Sequence, residues 1–226
     1  MGLEVEVKFL DVNVRALRKN LEDIGAKRVH KTLLFRRYLF FLPTQEKGFV
    51  RIRDEVTKRT LTVKKYREDT KYADEYEVEF SGSLDDAKNL LLALGLKQKS
   101  YQETLREKWI VQNCSEIVID TVPGIPTYVE IECNDESVVK LVSKKLGLDF
   151  SKGKYGAFDQ QYLDYYSVPK DVINQVLPQI SFLSVLKDLE PHVQKNKPLL
   201  EKVYQKQLKK YERAKRRSST WNLKPS

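Results

Sequence analysis

The sequence predicts an α+β protein built on antiparallel strands, closed or nearly closed as a barrel, with helices packed outside. Three observations carry this. The apolar pattern runs strand, helix, a run of strands, helix, a run of strands, helix. Successive strands are joined by hairpin-length connections, whereas parallel pairing needs crossovers of a dozen or more residues. Nearly every strand also pairs one apolar face with one charged face, because side chains alternate with period two.

The first strand is "EVEVKF", with Glu4, Glu6 and Lys8 on one face and Val5, Val7 and Phe9 on the other. From Val12 to Ile24 the apolar residues Val14, Leu17, Leu21 and Ile24 have helical spacing, with Asp11 or Asn13 as N-cap and Gly25 as stop. A strand is predicted from Val29 to Leu42, ending at Pro43, and "PTQEKG" reads as a turn. Strands continue at "FVRIRDE", "RTLTVKKY" and "DEYEVEF". A second helix runs from Asp85 to Leu94, capped by Ser83 and closed by Gly95. Strands follow at "ETLREKWIV", "EIVIDTV" and "TYVEIEC", then a helix from Ser137 to Leu146 stopped by Gly147. Beyond Pro169 the chain turns helical and Lys-rich, broken by Pro178, Pro191 and Pro198. There a helix from about Pro198 to Arg217 carries a partial apolar stripe of Leu199, Leu200, Val203, Leu208 and Tyr211, and Ser218 to Ser226 is expected to be disordered. The expected division is a strand-rich domain over 1–167 and a basic helical extension over 168–226.

The chain is 226 residues long and 41% apolar, enough to bury a good core. No stretch approaches the ~20 apolar residues of a membrane span, and the charged N-terminus lacks a signal-peptide apolar region, so a soluble cytoplasmic protein is the expectation. Cys114 and Cys133 lack metal-ligand spacing, and His30 and His192 lie far apart. A zinc site and a disulfide scaffold are therefore not expected, and Cys133 reads as a packed hydrophobe. Of the net charge of +9, the last thirty residues supply +8. Any global attraction for RNA thus belongs to the tail, whose plainer reading is a solvated helix face that can be removed without loss of turnover.

The strands sort their charges. Glu75, Glu77 and Glu79 share a face, as do Glu130 and Glu132, while Arg51 with Arg53, Thr62 with Lys64, and Arg106 with Lys108 make basic faces, and Asp120 ends "IVID". A sheet with one solvated side would mix such charges in cross-strand pairs worth ~0.2–1 kcal/mol. Whole acidic and whole basic strands suit instead a lumen that holds a sorted ligand, a polyphosphate with a divalent cation. Mg²⁺ or Mn²⁺ takes hard oxygen ligands, which Glu4, Glu6, Asp120, Glu130 and Glu132 offer. Lys8, Arg51, Arg53, Lys64, Arg106 and Lys108 offer charge-assisted bonds to phosphate.

The ordered set "EVEVKF", "VRIR", "LTVK", "EYEVE", "LREKW", "IVIDTVPG", "YVEIE" and "QYLDYY" resembles the CYTH superfamily, the triphosphate tunnel metalloenzymes, over about Leu3 to Tyr166. The resemblance implies an eight-stranded antiparallel tunnel that binds a triphosphate and a divalent metal. It matches Glu4, Glu6, Glu130 and Glu132 to metal-binding acids and Asp120 to an acid near the metals. Lys8, Arg51, Arg53, Lys64, Arg106 and Lys108 match phosphate-binding bases, and Lys152 or Lys154 in "SKGKYG" falls where a basic segment closes one end. Two departures stand out. Arg36 and Arg37 replace an Asp before the second strand's aromatics, and "TVPGIPTYVEIE" has prolines in place of a Gly-rich bend.

No P-loop, dinucleotide glycine motif or GxSxG elbow is present in the sequence. The expected reaction is attack of a metal-activated water on the terminal phosphorus of inorganic triphosphate, thiamine triphosphate, a nucleotide or an RNA 5′-triphosphate. Glu4, Glu6, Lys8 and Asp120 are the expected catalytic groups, with Glu77 or Glu79 as a candidate general base or second acidic cluster. The alternative is a class IV adenylyl cyclase making cyclic AMP and pyrophosphate, and the third reading is a non-catalytic polyphosphate or RNA binder. A monomer or homodimer is expected.

Overall fold

The computed structural model describes residues 5–44, 46–66 and 73–221. The first half holds β1 (Val5–Phe9), α1 (Val14–Asp23), β2 (Lys27–Phe40), β3 (Gly48–Asp54), β4 (Arg59–Tyr66), β5 (Ala73–Glu79) and α2 (Leu84–Ala93). It is followed by β6 (Gln98–Val111), β7 (Cys114–Thr121), β8 (Tyr128–Cys133), α3 (Glu136–Lys145) and α4 (Asp159–Tyr166). Last come β9 (Gln179–Ile180), α5 (Val185–Leu189) and α6 (Lys197–Trp221). Eight strands pair antiparallel in the order β1-β8-β7-β6-β2-β3-β4-β5, and β9 adds a short parallel pairing to β6. The sheet curls into a half-barrel. Its two long strands, β2 and β6, pair with three register shifts, the irregularities that let a sheet bend. Among the described residues β1 and β5 are its edges and do not pair with each other.

Local sequence explains the helices. The Asn13 side chain accepts from the Arg15 and Ala16 amides at the start of α1, and Leu17 and Leu21, one turn apart, bury its inner stripe. Ser83 and Asp86 cap each other at α2, and Asp135 caps α3.

The helices cover the convex face. α1 and α3 pack on β1, β7, β8 and the far end of β6 through Val7, Phe9, Leu17, Leu21, Ile131 and Val139. α2 covers β3 and β4 through Leu84, Leu91, Val50 and Ile52. Between them Glu107, 2% exposed, accepts two bonds from Arg18 at 3.0 and 2.7 Å and one from the Trp109 indole at 3.0 Å. It is a structural ion pair on the outer face.

The C-terminal part departs from expectation. Residues 218–221 continue α6 instead of being disordered, and the Ser218 hydroxyl accepts from the Leu34 amide at 2.9 Å; residues 222–226 lie outside those described. α6 is also no simple solvated face. Tyr211 and Ala214 pack on Leu34, Leu105 and Phe182, while Leu200 joins a core with Val122, Ile125 and Tyr162. Lys202, Lys206, Lys209, Lys215 and Arg216 remain exposed on its other side. The stripe was only partly legible because Gln207, a polar residue, occupies its centre, spending its amide on the 122–125 turn.

Two further expectations are corrected. β6 begins at Gln98, five residues before the apolar pattern, because its polar start pairs with β2 and β9. Cys114 and Cys133 are joined by a disulfide, where none was expected. Spacing alone hid this, since the two cysteines are 19 residues apart and become cross-strand partners only through the β7–β8 register. Cys133 is nonetheless fully buried in the core. Among the described residues no helix is long and apolar enough to cross a membrane.

Candidate active site

The strand registers bring the charged faces side by side. Glu6 lies opposite Glu132 and Lys8 opposite Glu130, and Glu132 lies in turn opposite Glu116. Asp120 faces Arg106, and Arg37 faces both Gln102 and Arg53. Arg51 and Arg53 face Thr62 and Thr60, which face Glu77 and Glu79. Directly paired residues share a face. The concave surface therefore passes from carboxylates on β1, β8 and β7, through cations on β6, β2 and β3, to carboxylates on β5.

At the first edge, carboxylate oxygens of Glu6, Glu130 and Glu132 lie within 4.8 Å of one another. Lys8, 5% exposed, pairs with Glu6 and, at 3.1 Å, with Glu130, while Ser115 donates to Glu132 at 2.9 Å. Three carboxylates on adjacent strands are a hard-oxygen donor set, which fits Mg²⁺ or Mn²⁺. Glu4 lies outside the described residues.

Asp120 is not part of that trio. Arg106 grips it with two bonds at 2.9 and 2.7 Å and reaches Glu116 at 3.2 Å; Lys108 also holds Glu116 at 2.6 Å. Burial pushes the Asp120 carboxyl up, with Glu130 and Glu116 adding to the push, despite the bond to Arg106. Burial acts the same way on Glu116, but Arg106 and Lys108 outweigh it and hold that carboxyl below its usual range.

The cations of β2 and β3 are less well matched. Arg51 bonds Thr62 at 3.1 Å, Glu77 at 3.3 Å and Glu75 at 3.4 Å, Lys64 pairs with Glu75 at 3.2 Å, and Arg53 pairs with Glu55. Yet the Nε atoms of Arg51 and Arg53 and the Thr60 hydroxyl are buried with no hydrogen-bond partner. Arg37 bonds Gln102 at 2.9 Å and lies 5.4 Å from the Phe158 ring centroid, and among the described residues no carboxylate pairs with it. Burial first, then Arg51 and Arg53, pull its guanidinium down to about 9, and burial with Arg53 takes Arg51 to about 10. Packing partly desolvated cations side by side with few acceptors is costly, and Arg37, Arg51 and Arg53 stand together half-buried on this face.

Glu77 and Glu79 sit on the β5 edge, at the other end of the sheet from the acidic trio. Thr62 donates to Glu77 at 2.7 Å; that bond, with Arg53 and Arg51, holds it below the usual carboxylate range although burial opposes this. Glu79 pairs with Lys58 at 3.5 Å.

The segment after α3 runs along the outer edge of β1. Lys154 exchanges two backbone hydrogen bonds of 2.8 Å with Lys8, so its side chain falls on the Lys8 side, whereas Lys152 points to solvent near Asp149. Gly153 permits this approach: a Cβ there would meet Val7 Cγ1 at 2.6 Å. Tyr128, opposite Asp120, packs in turn against Tyr162 and Tyr166 of α4.

Sequence reasoning missed three groups of this surface. Glu116 was accessible by counting back in twos from Asp120. Arg37 stands out in the sequence only as a departure from the family pattern. His30, 5% exposed, lies near Lys108 and Arg106, and burial with those charges holds its imidazole below its usual value; its β2–β6 register shift hides it from a period-two count.

Comparison with protein families matches the CYTH domain over residues 2–147. The chain belongs to the CYTH domain family. Solved structures similar to it include the PH1012 protein of Pyrococcus horikoshii OT3, at 23% identity and a TM-score of 0.57 over 70% of this chain and 99% of that one. A conserved hypothetical protein of Pyrococcus furiosus is 24% identical, with a TM-score of 0.55 over 70% of this chain and 99% of its own. The PH1819 protein of Pyrococcus horikoshii OT3 is 25% identical, with a TM-score of 0.53 over 71% and 98%. At these identities the likeness speaks for the fold. No curated protein matches. The CYTH match spans β1 to α3 and therefore includes the acidic trio and the arginines, while Lys154, α4 and α6 lie beyond it.

Proposed function

We propose that this CYTH protein is a divalent-cation-dependent phosphohydrolase acting on a triphosphate: inorganic triphosphate, thiamine triphosphate, a nucleotide or an RNA 5′-triphosphate. The observation that carries the reading is the pairing, on one concave face, of a carboxylate trio with half-buried arginines, two of which keep an unpaired Nε atom. Glu6, Glu130 and Glu132 would hold the cation, with Glu4, outside the described residues, as the further ligand expected from the sequence. A hard divalent cation there supplies charge neutralisation at phosphoryl oxygens and acidifies water. Arg37, Arg51 and Arg53 donate to non-bridging phosphate oxygens and stabilise charge that grows in transfer. Lys8 and Lys154 bound the same space. Lys64, Arg106 and Lys108 are the second rank, held now by Glu75, Asp120 and Glu116. Asp120 orients Arg106, and Glu77 orients Arg51 in preference to taking a proton.

The direct test incubates the protein with Mg²⁺ or Mn²⁺ and, separately, inorganic triphosphate, ATP and thiamine triphosphate, and resolves the products. Orthophosphate release supports the reading. Cyclic AMP with pyrophosphate would replace it by a cyclase, in which the ribose 3′-hydroxyl attacks the α-phosphorus.

Two variants probe the cationic surface. Arg53→Ala is expected to weaken inorganic triphosphate binding by about 10- to 100-fold, the range of a lost hydrogen bond to a charged group. An unchanged dissociation constant takes Arg53 out of the site. Arg37→Met is expected to raise the thermal midpoint of the ligand-free protein, by removing a half-buried charge that lies beside Arg51 and Arg53 and has no carboxylate partner among the described residues, while weakening triphosphate binding. A lower midpoint with unchanged binding would make Arg37 a structural partner of Gln102.

A further inference from the structure

Resting on the triphosphate reading, we infer that the cavity beside Lys8 is a subsite for the organic group of the substrate, and that Gln161 reads a nitrogen heterocycle there through a paired donor and acceptor. The cavity measures about 130 Å³ and is lined by Lys8, Lys154, Tyr155, Gln160, Gln161 and Asp164, among others. Lys8 also pairs with Glu6 and Glu130, so the cavity adjoins the acidic trio.

Gln161 is the unexplained residue. It is 3% exposed, yet neither its Nε2 nor its Oε1 has a hydrogen-bond partner, and both atoms lie within the packing, so reading a ligand requires the side chain to turn into the cavity it lines. Buried amides are almost always satisfied, so one with both ends open asks for a ligand. Its neighbour Gln160, by contrast, donates to Asp164 at 2.7 Å. The helix under Gln161 is fixed: Tyr162 donates to the Pro123 carbonyl at 2.6 Å and Tyr166 to that of Gly124. The opposite wall is fixed by the Lys8–Lys154 bridge.

The amide selects the ligand class. Phosphate oxygens only accept, so a phosphate satisfies Nε2 and leaves Oε1 open. A carboxamide is matched at both atoms by a planar edge with an amino group beside a ring nitrogen, the pattern glutamine reads on adenine. Aminopurines and aminopyrimidines both present it. Tyr155, 59% exposed at the cavity, offers an aromatic face on which such a ring stacks. Lys8 and Lys154 face the phosphate end.

The test is calorimetric titration of the full chain without divalent metal, so that nothing turns over, using ATP, thiamine triphosphate and inorganic triphosphate. For Gln161→Leu the affinity for at least one heterocyclic triphosphate, relative to inorganic triphosphate, is expected to fall about 10- to 100-fold, the discrimination of one bidentate contact. The thermal midpoint should not fall, because no hydrogen bond is lost. Tyr155→Ala should reduce the same ratio by a smaller factor. Ratios within twofold of the unmodified protein for both heterocyclic ligands, or a parallel loss for all three, overturn the subsite. If the unmodified protein binds inorganic triphosphate and the ratios do not move, only the subsite falls; if it binds none of the three, the triphosphate reading falls with it.

Discussion

Glu132→Gln and Glu6→Gln are each expected to cut metal-dependent turnover by on the order of 10²–10⁴-fold, while leaving thermal stability unchanged or raised. The first expectation follows from the donor set: a ligating carboxylate supports several kcal/mol of transition-state charge stabilisation, and each 1.4 kcal/mol is tenfold in rate. The second follows from the packing of three carboxylates whose oxygens lie within 4.8 Å. Removing one charge relieves repulsion between the others. The two readouts must move apart. Loss of folding in both variants would make these acids ion-pair partners that hold β1 to β8, and unchanged turnover with Mg²⁺ and Mn²⁺ would remove the trio from the chemistry.

Ending the chain at Asn196 is expected to leave it unable to fold. The deletion strips α6 from Val122, Ile125, Leu34 and Leu105, uncovering surface that Leu200, Val203, Tyr211 and Ala214 now bury. Burial of each large apolar side chain is worth ~1.5–3 kcal/mol, against a typical net stability of ~5–15 kcal/mol. Gln207 adds a polar loss. It accepts from the Gly124 amide at 2.8 Å and donates to the Val122 and Ile125 carbonyls at 2.9 and 2.7 Å. The point variant Gln207→Ala leaves the Gly124 amide and the Ile125 carbonyl unpaired at ~1–3 kcal/mol each, the Val122 carbonyl keeping the Ile125 amide, and should lower the thermal midpoint by several degrees or more. A truncated chain with the midpoint and turnover of the full one would restore the plain reading of the tail as a solvated helix.

The 122–125 turn shows how a sequence departure becomes a structural device. "TVPGIP" is anchored from three sides, by Gln207, Tyr162 and Tyr166. Its prolines set the direction of a buried connection that has few of its own backbone bonds to offer. The same contacts seat α4 at the end of the charged face, where Gln161 and Phe158 enter the site's surroundings.

By itself the sequence determined antiparallel strands, three helices before residue 150 and the two-faced strands, because these depend on local spacing: period two for Glu130 and Glu132, a turn of helix for Leu17 and Leu21, a cap at Ser83, a glycine stop at Gly25, Gly95 or Gly147. It also determined the sorting of acids and bases, since that sorting is written strand by strand. Only the tertiary structure decided what depends on register and long-range packing. It put Glu6 beside Glu132, gave Asp120 to Arg106 instead of to the trio, bonded Cys114 to Cys133, left Arg37 without a carboxylate among the described residues, and folded the C-terminal helix onto β2. Such pairings join residues tens to nearly two hundred positions apart, and no local propensity encodes which distant strand or helix a side chain will meet.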